Sequence, residues 1–137
     1  MSDLHWSAAW VGQPWSPARN CWWLVQQLQR ERWSREMPAL QVGEGVFGWE
    51  QWRALSGLLR GTPWARVEGG ALEGDVLVVR GLAGPHVGVF IDRERVLHNC
   101  GGVSPTTRQP FGSVRLEALP ELLAGGYGRP EIWRHAC

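Results

Sequence analysis

Cys21, His86 and His98 are the residues whose types and placing can do chemistry together. Cys21 follows Asn20, a good N-cap residue, and opens the run NCWWLVQQLQRERW, whose apolar positions recur at helical spacing. A helix N-terminus carries partial positive charge and backbone N–H groups without intrahelical partners. Both favour thiolate over thiol, and the thiolate is the nucleophile. The plainer reading is a buried structural thiol, since free cysteine is among the most buried residue types.

His86 opens the strand-like run HVGVF directly after the loop GLAGP, a rigid yet accessible place for a base. Alone, it reads equally well as a surface-loop histidine. His98 lies in the facing run, RVLHN. If the intervening turn centres near Arg93 or Glu94, the two histidines lie roughly opposite each other across a hairpin. His98 can then fix the tautomer and orientation of His86, the task a carboxylate or amide performs in other triads. Cys100 should share the face of His98 if that strand continues regularly. A helix-terminal thiol, a base on a strand and an orienting group one strand away form the set that nucleophilic catalysis requires.

Zinc is the chemical rival. Cys21, His86, His98 and Cys100 are suitable ligand types, but there is no CxxC or HxxxH pair, so no metal site is assigned. Asp75 and Asp92 read as turn and strand-edge residues and receive no chemical role.

The elements that must position these groups follow from periodicity. A helix is expected from about Asn20 to Trp33, with Cys21, Leu24, Val25 and Leu28 on its apolar stripe. FGWEQWRALSGLLR, Phe47 to Arg60, reads as a second helix, stopped by Gly61 and Pro63. After residue 74 the period shortens. VLVVR, HVGVFID and RVLHN read as strands, the last two joined by the polar turn Asp92–Arg95. SVRL is a further strand, EALPELLAGG a short helical turn ending at Gly125, and EIWRH an edge strand. Residues 1–19 read as irregular. Helices followed by antiparallel strands make an α+β fold, in one domain spanning residues 1–137.

Composition narrows the function classes. A net charge of +1 with mixed signs argues against a nucleic-acid groove or a membrane-binding basic face. No stretch approaches the roughly 20 apolar residues that cross a bilayer. MSDLHWSAAWVGQPW lacks the basic start and apolar run of a signal peptide. The expectation is therefore a chain made in the cytoplasm, or one leaving by a route that needs no such signal. Three cysteines at wide spacing are a poor disulfide framework, so free thiols are expected, with Cys137 fraying at the end. Ten tryptophans, all but Trp133 before residue 65, read either as core and helix surface or as the lining of a sugar or peptide groove.

With these residues in place, the sequence resembles the NlpC-type cell-wall cysteine peptidases, and looks closest to the short versions encoded by tailed phages. The matching stretches are PW at 14–15, NCWWLV at 20–25, GDVLVV at 74–79, HVGVF at 86–90 and VLH at 96–98. Their order and spacing agree with the family pattern from about Trp10 to Val114. The resemblance implies a papain-like α+β fold and hydrolysis of peptide or amide bonds in peptidoglycan, with Cys21, His86 and His98 as the triad. No cofactor is expected. The resemblance also implies a peptidoglycan stem peptide as substrate, and phage tail proteins as candidate partners.

Three positions depart from the family pattern. Asn20 stands where the family usually has Asp, an acid that contacts the stem peptide's free amine in members cutting next to D-glutamate. Trp23 stands where a small residue is usual, and its ring is expected to crowd the helix–sheet contact or reshape the groove. Trp15 replaces the usual Tyr; its indole N–H can donate towards an oxyanion but cannot accept. A cell-wall or tail-binding module without catalysis, and an acyltransferase or thioesterase with the same triad, are the alternative functions.

Overall fold

The structure, a computed structural model, describes residues 5–37, 50, 53, 63–81 and 84–136. Apart from Glu50 and Arg53, the helix expected over Phe47–Arg60 lies outside the described residues, as does Cys137.

Asn20 starts the first helix as its sequence suggests. Its side-chain oxygen accepts from the Trp23 backbone N–H at 3.0 Å, and α1 runs Cys21–Trp33. The helix ends at Ser34, in the left-handed region at φ 54°. Cys21, Leu24, Val25 and Leu28 are buried along the expected stripe, joined by Trp22 and Gln29. Gln29 is satisfied in the interior by donating to the Gly74 carbonyl at 2.9 Å.

Among the described residues six strands form one antiparallel sheet: β1 (Trp64–Val67), β2 (Val76–Gly81), β3 (Gly84–Phe90), β4 (Arg95–Val103), β5 (Pro110–Ala118) and β6 (Gly128–His135). Their order is β1-β6-β2-β3-β4-β5. The α+β class therefore holds. EIWRH, expected at an edge, instead lies inside the sheet, because Trp64–Val67 adds an unforeseen strand outside it. The loop read over GLAGP is also shorter, since pairing continues to Gly81↔Gly84 and makes His86 the third residue of its strand. A further helix, here α2 (Leu119–Ala124), ends at Gly125. Part of the irregular N-terminal stretch extends the sheet. The Gly12 N–H donates to the Val114 carbonyl at 2.9 Å and the Trp15 N–H to the Gly112 carbonyl at 3.0 Å.

Both faces of the sheet are covered. On one face Leu24, Val25 and Leu28 of α1 pack on Val76, Val78, Val87, Val89, Leu97 and Val114. On the other, Leu122 of α2 joins Leu77, Val79, Phe90 and Val96. This explains why VLVV is apolar at every position rather than alternately: all four side chains are buried. Each such side chain contributes about 1.5–3 kcal/mol by leaving water. The described tryptophans other than Trp15 join this packing. Trp22, Trp64 and Trp133 are buried in the α1-side cluster, with Trp6, Trp10, Trp23 and Trp33 against it. Among the described residues no helix is long and apolar enough to cross a membrane.

Candidate active site

The helix α1 points its N-terminus at the sheet where β3 and β4 part. Those two strands pair only over Gly88↔His98, Val89↔Leu97 and Phe90↔Val96. Beyond this point β4 continues paired with β5 alone. The Asn99 side-chain amide of β4 donates to the Arg19 carbonyl at 2.7 Å, holding the segment before Cys21 against the diverging strand. Cys21, as the first helical residue, then lies buried beside Val87 of β3.

Alternation along β3 sends Val87 and Val89 towards α1, while Gly88 and Phe90 belong to the opposite face. His86 shares that opposite face, where the Tyr127 ring stacks on it at 4.9 Å and 21°. His86 Nε2 and His98 Nδ1 are 2.8 Å apart, with the rings at 80°. The histidines are not directly opposite, as the sequence suggested. The register sets Gly88 against His98, so the imidazoles meet diagonally.

His98 Nε2 lies 3.0 Å from Glu117 Oε1 on β5. His98 is fully buried and Glu117 partly exposed. This carboxylate was not anticipated, because the strand read as SVRL stopped short of it. Extended by the observed pairing, β5 sets Glu117 opposite Val96 and Arg115 opposite His98. Cys100 lies on β4 two residues after His98, and its Sγ is 3.4 Å from the Tyr127 hydroxyl. Tyr127 carries no local signal, since it comes from a glycine-rich turn far away in sequence.

Electrostatics here oppose the expectation of an activated thiol. Burial pushes the Cys21 thiol up, from 9.0 to about 11, and nearby Cys100 adds to the rise. The backbone N–H groups of Val87, Trp22 and Cys21 favour the thiolate but do not outweigh burial. Burial, then the neighbouring His98, drives His86 down to about 3. Burial also lowers His98, against the opposing effect of Glu117. Both shifts favour a neutral thiol and a neutral imidazole at rest. Among the described residues no hydrogen bond joins Cys21 to His86.

The other expected site residues are placed differently. Asn20 is buried and its side-chain oxygen is committed to capping α1. Trp23 is half-buried beside Trp10, with the Arg19 guanidinium 5.3 Å from its ring centre. It packs, partly buried, against the α1-side core. Trp15 is buried against Gly101 of β4, where an added Cβ would come within 2.6 Å of it, and it is not in the cluster that holds Cys21. Cys21 and Cys100 are free thiols. Among the described residues no three His, Cys, Asp or Glu side chains are grouped as a metal ion would need. Comparison with protein-family models and with curated proteins finds no match for this chain.

Proposed function

We propose that the chain is a papain-like cysteine hydrolase that cleaves peptide or amide bonds in peptidoglycan. Cys21 is the nucleophile, His86 the base and His98 the residue that orients it. The observation that carries this reading is the 2.8 Å contact between His86 Nε2 and His98 Nδ1, with Cys21 at the start of α1 lying against Val87, the next residue of β3. That bond occupies one nitrogen of His86 and leaves Nδ1 for the thiol proton.

A neutral pair sets the order of events. As the sulfur attacks the carbonyl, its proton passes to His86 Nδ1, so charge separation develops in the reaction rather than before it. The Cys21 backbone N–H, which has no partner within its helix, is available to the oxyanion. One such donor is worth about 2.7–4 kcal/mol. His86 then gives its proton to the leaving amine. A water deprotonated by the same imidazole cleaves the thioester, releasing the acid and restoring the thiol.

One observation favours a second reading, a binding module of the same fold without catalysis: the missing Cys21–His86 hydrogen bond. Hydrogen bonds of this kind often tighten only when substrate is bound, so we retain the hydrolase. The cell-wall stem peptide is the proposed substrate and phage tail proteins the proposed partners. The test is digestion of purified peptidoglycan, with fragments identified by mass spectrometry. New amine and carboxylate ends are expected from the parent and none from Cys21→Ala. Equal release by both, or by neither, ends the hydrolase reading.

A further inference from the structure

Glu117 lies behind both histidines and has no part in the scheme above. His98 Nε2 is 3.0 Å from its carboxylate oxygen, and His98 Nδ1 is 2.8 Å from His86 Nε2. The three side chains thus form one chain across β5, β4 and β3. We infer that Glu117 is a positioning residue that fixes the proton on each imidazole, so that His86 presents an unprotonated Nδ1 as the base. This rests on the hydrolase reading.

Donor and acceptor rules give the direction. A carboxylate only accepts. His98 Nε2 must then carry a proton and donate it to Glu117. A neutral imidazole has one N–H, so His98 Nδ1 is a lone pair and can only accept. His86 Nε2 must therefore carry the proton that fills the 2.8 Å bond. One lone pair remains in the chain, on His86 Nδ1. Without Glu117, either His98 nitrogen can hold its proton. In the wrong tautomer His98 donates to His86 Nε2, which forces the His86 proton onto Nδ1 and removes the base.

The surroundings favour neutral rings. Burial lowers both histidines, and Arg115, opposite His98 on β5, acts in the same direction on His98. Tyr127 closes the remaining side, its ring 4.9 Å from His86 and 6.5 Å from His98. Burial holds its phenol protonated well above the usual range, so it adds no charge. Glu117 is thus the anion that breaks the symmetry of the two imidazoles. His98 does not act alone as the orienting group; it passes on a preference set one strand further away.

The experiment is long-range nitrogen–proton NMR on the full chain with labelled histidine, alongside peptidoglycan turnover. In the parent, both His86 and His98 should carry the proton on Nε2. Glu117→Ala should give mixed tautomers at both rings and lower kcat about tenfold or more, with KM little changed, because a base histidine held in the wrong tautomer loses turnover. Glu117→Gln keeps an acceptor oxygen and should retain the parental tautomer with part of the turnover. A His86 proton on Nδ1 in the parent overturns the inference. So does Glu117→Ala that leaves tautomers and kcat unchanged, or that loses only thermal stability. A parent that fails to cleave peptidoglycan, while Glu117→Ala still mixes the tautomers, overturns the hydrolase reading and leaves the tautomer assignment standing.

Discussion

Gly88 faces His98 across the β3–β4 ladder, and its missing side chain is what lets His86 reach His98. A Cβ built on Gly88 would lie 3.0 Å from His98 Cβ and 2.6 Å from Val96 Cγ1. Diagonal neighbours on a sheet are farther apart than facing ones, so the imidazoles meet only if nothing fills the space between them.

Gly88→Ala should therefore damage function as well as stability. Forcing one methyl into this contact should cost about 1–3 kcal/mol in chemical denaturation. Because Val96 and His98 must shift to admit it, the 2.8 Å bond should lengthen and peptidoglycan turnover fall further than the stability loss explains. A stable, fully active Gly88→Ala protein would show that this spacing is not what supports the histidine pair.

The ionisation of Cys21 gives a second test. With its thiol raised to about 11, alkylation by iodoacetamide should rise with pH well past the point where an ordinary cysteine has levelled off. An unstructured cysteine peptide is the control, and mass spectrometry separates the Cys21 peptide from those holding Cys100 and Cys137. A Cys21 that reacts fully at neutral pH would mean that the helix N-terminus outweighs burial, and that a resting thiolate–imidazolium pair forms after all.

That reversal marks where sequence reasoning stops. The cap at Asn20, the stripe from Cys21 to Leu28 and the runs over Val76–Arg80 and His86–Phe90 are local patterns, and each forms the expected element. How deeply Cys21 is buried depends on Val87 and Leu97, which the helix meets only after folding. The register placing Gly88, not His86, against His98 depends on where the turn after Phe90 closes, and one-sided patterns do not fix that. Glu117 and Tyr127 reach the histidines through β5 and the turn before β6, contacts between residues far apart in the chain. Trp64–Val67 is too short, and too alike on its two faces, to announce an edge strand.

Stability should depend on pH through His86. Its folded-state value is depressed to about 3 against an ordinary 6.5, so the unfolded chain binds the extra proton more readily. The sign follows: the contribution is complete above pH 6.5 and is lost as pH falls from there towards 3. The limiting slope is about 1.4 kcal/mol per pH unit, reduced by the partly exposed edge of the ring. His98, also depressed by burial, acts in the same direction. Urea denaturation at pH 7, 5.5 and 4.5 should show a steeper decline for the parent than for His86→Asn. Parallel declines would show that His86 is not held neutral by the fold.

The last prediction separates the roles of the two histidines. His86→Ala should abolish turnover nearly as completely as Cys21→Ala, because a nucleophile and its base act as a unit and their losses do not add. In the proposed arrangement His98 accepts from His86 Nε2 without touching substrate, so what it would have to supply is an acceptor in the right place. His98→Asn and His98→Gln can each offer a carbonyl oxygen to that N–H, although neither extends fully to Glu117. They should keep a measurable part of kcat. His98→Ala leaves the His86 N–H without its buried partner and should lose more, with an added stability cost of about 1–3 kcal/mol. Circular dichroism confirms folding of each variant, and peptidoglycan turnover ranks them. If His98→Ala matches His98→Gln in kcat, His98 is a packing residue and the working site reduces to the pair Cys21 and His86.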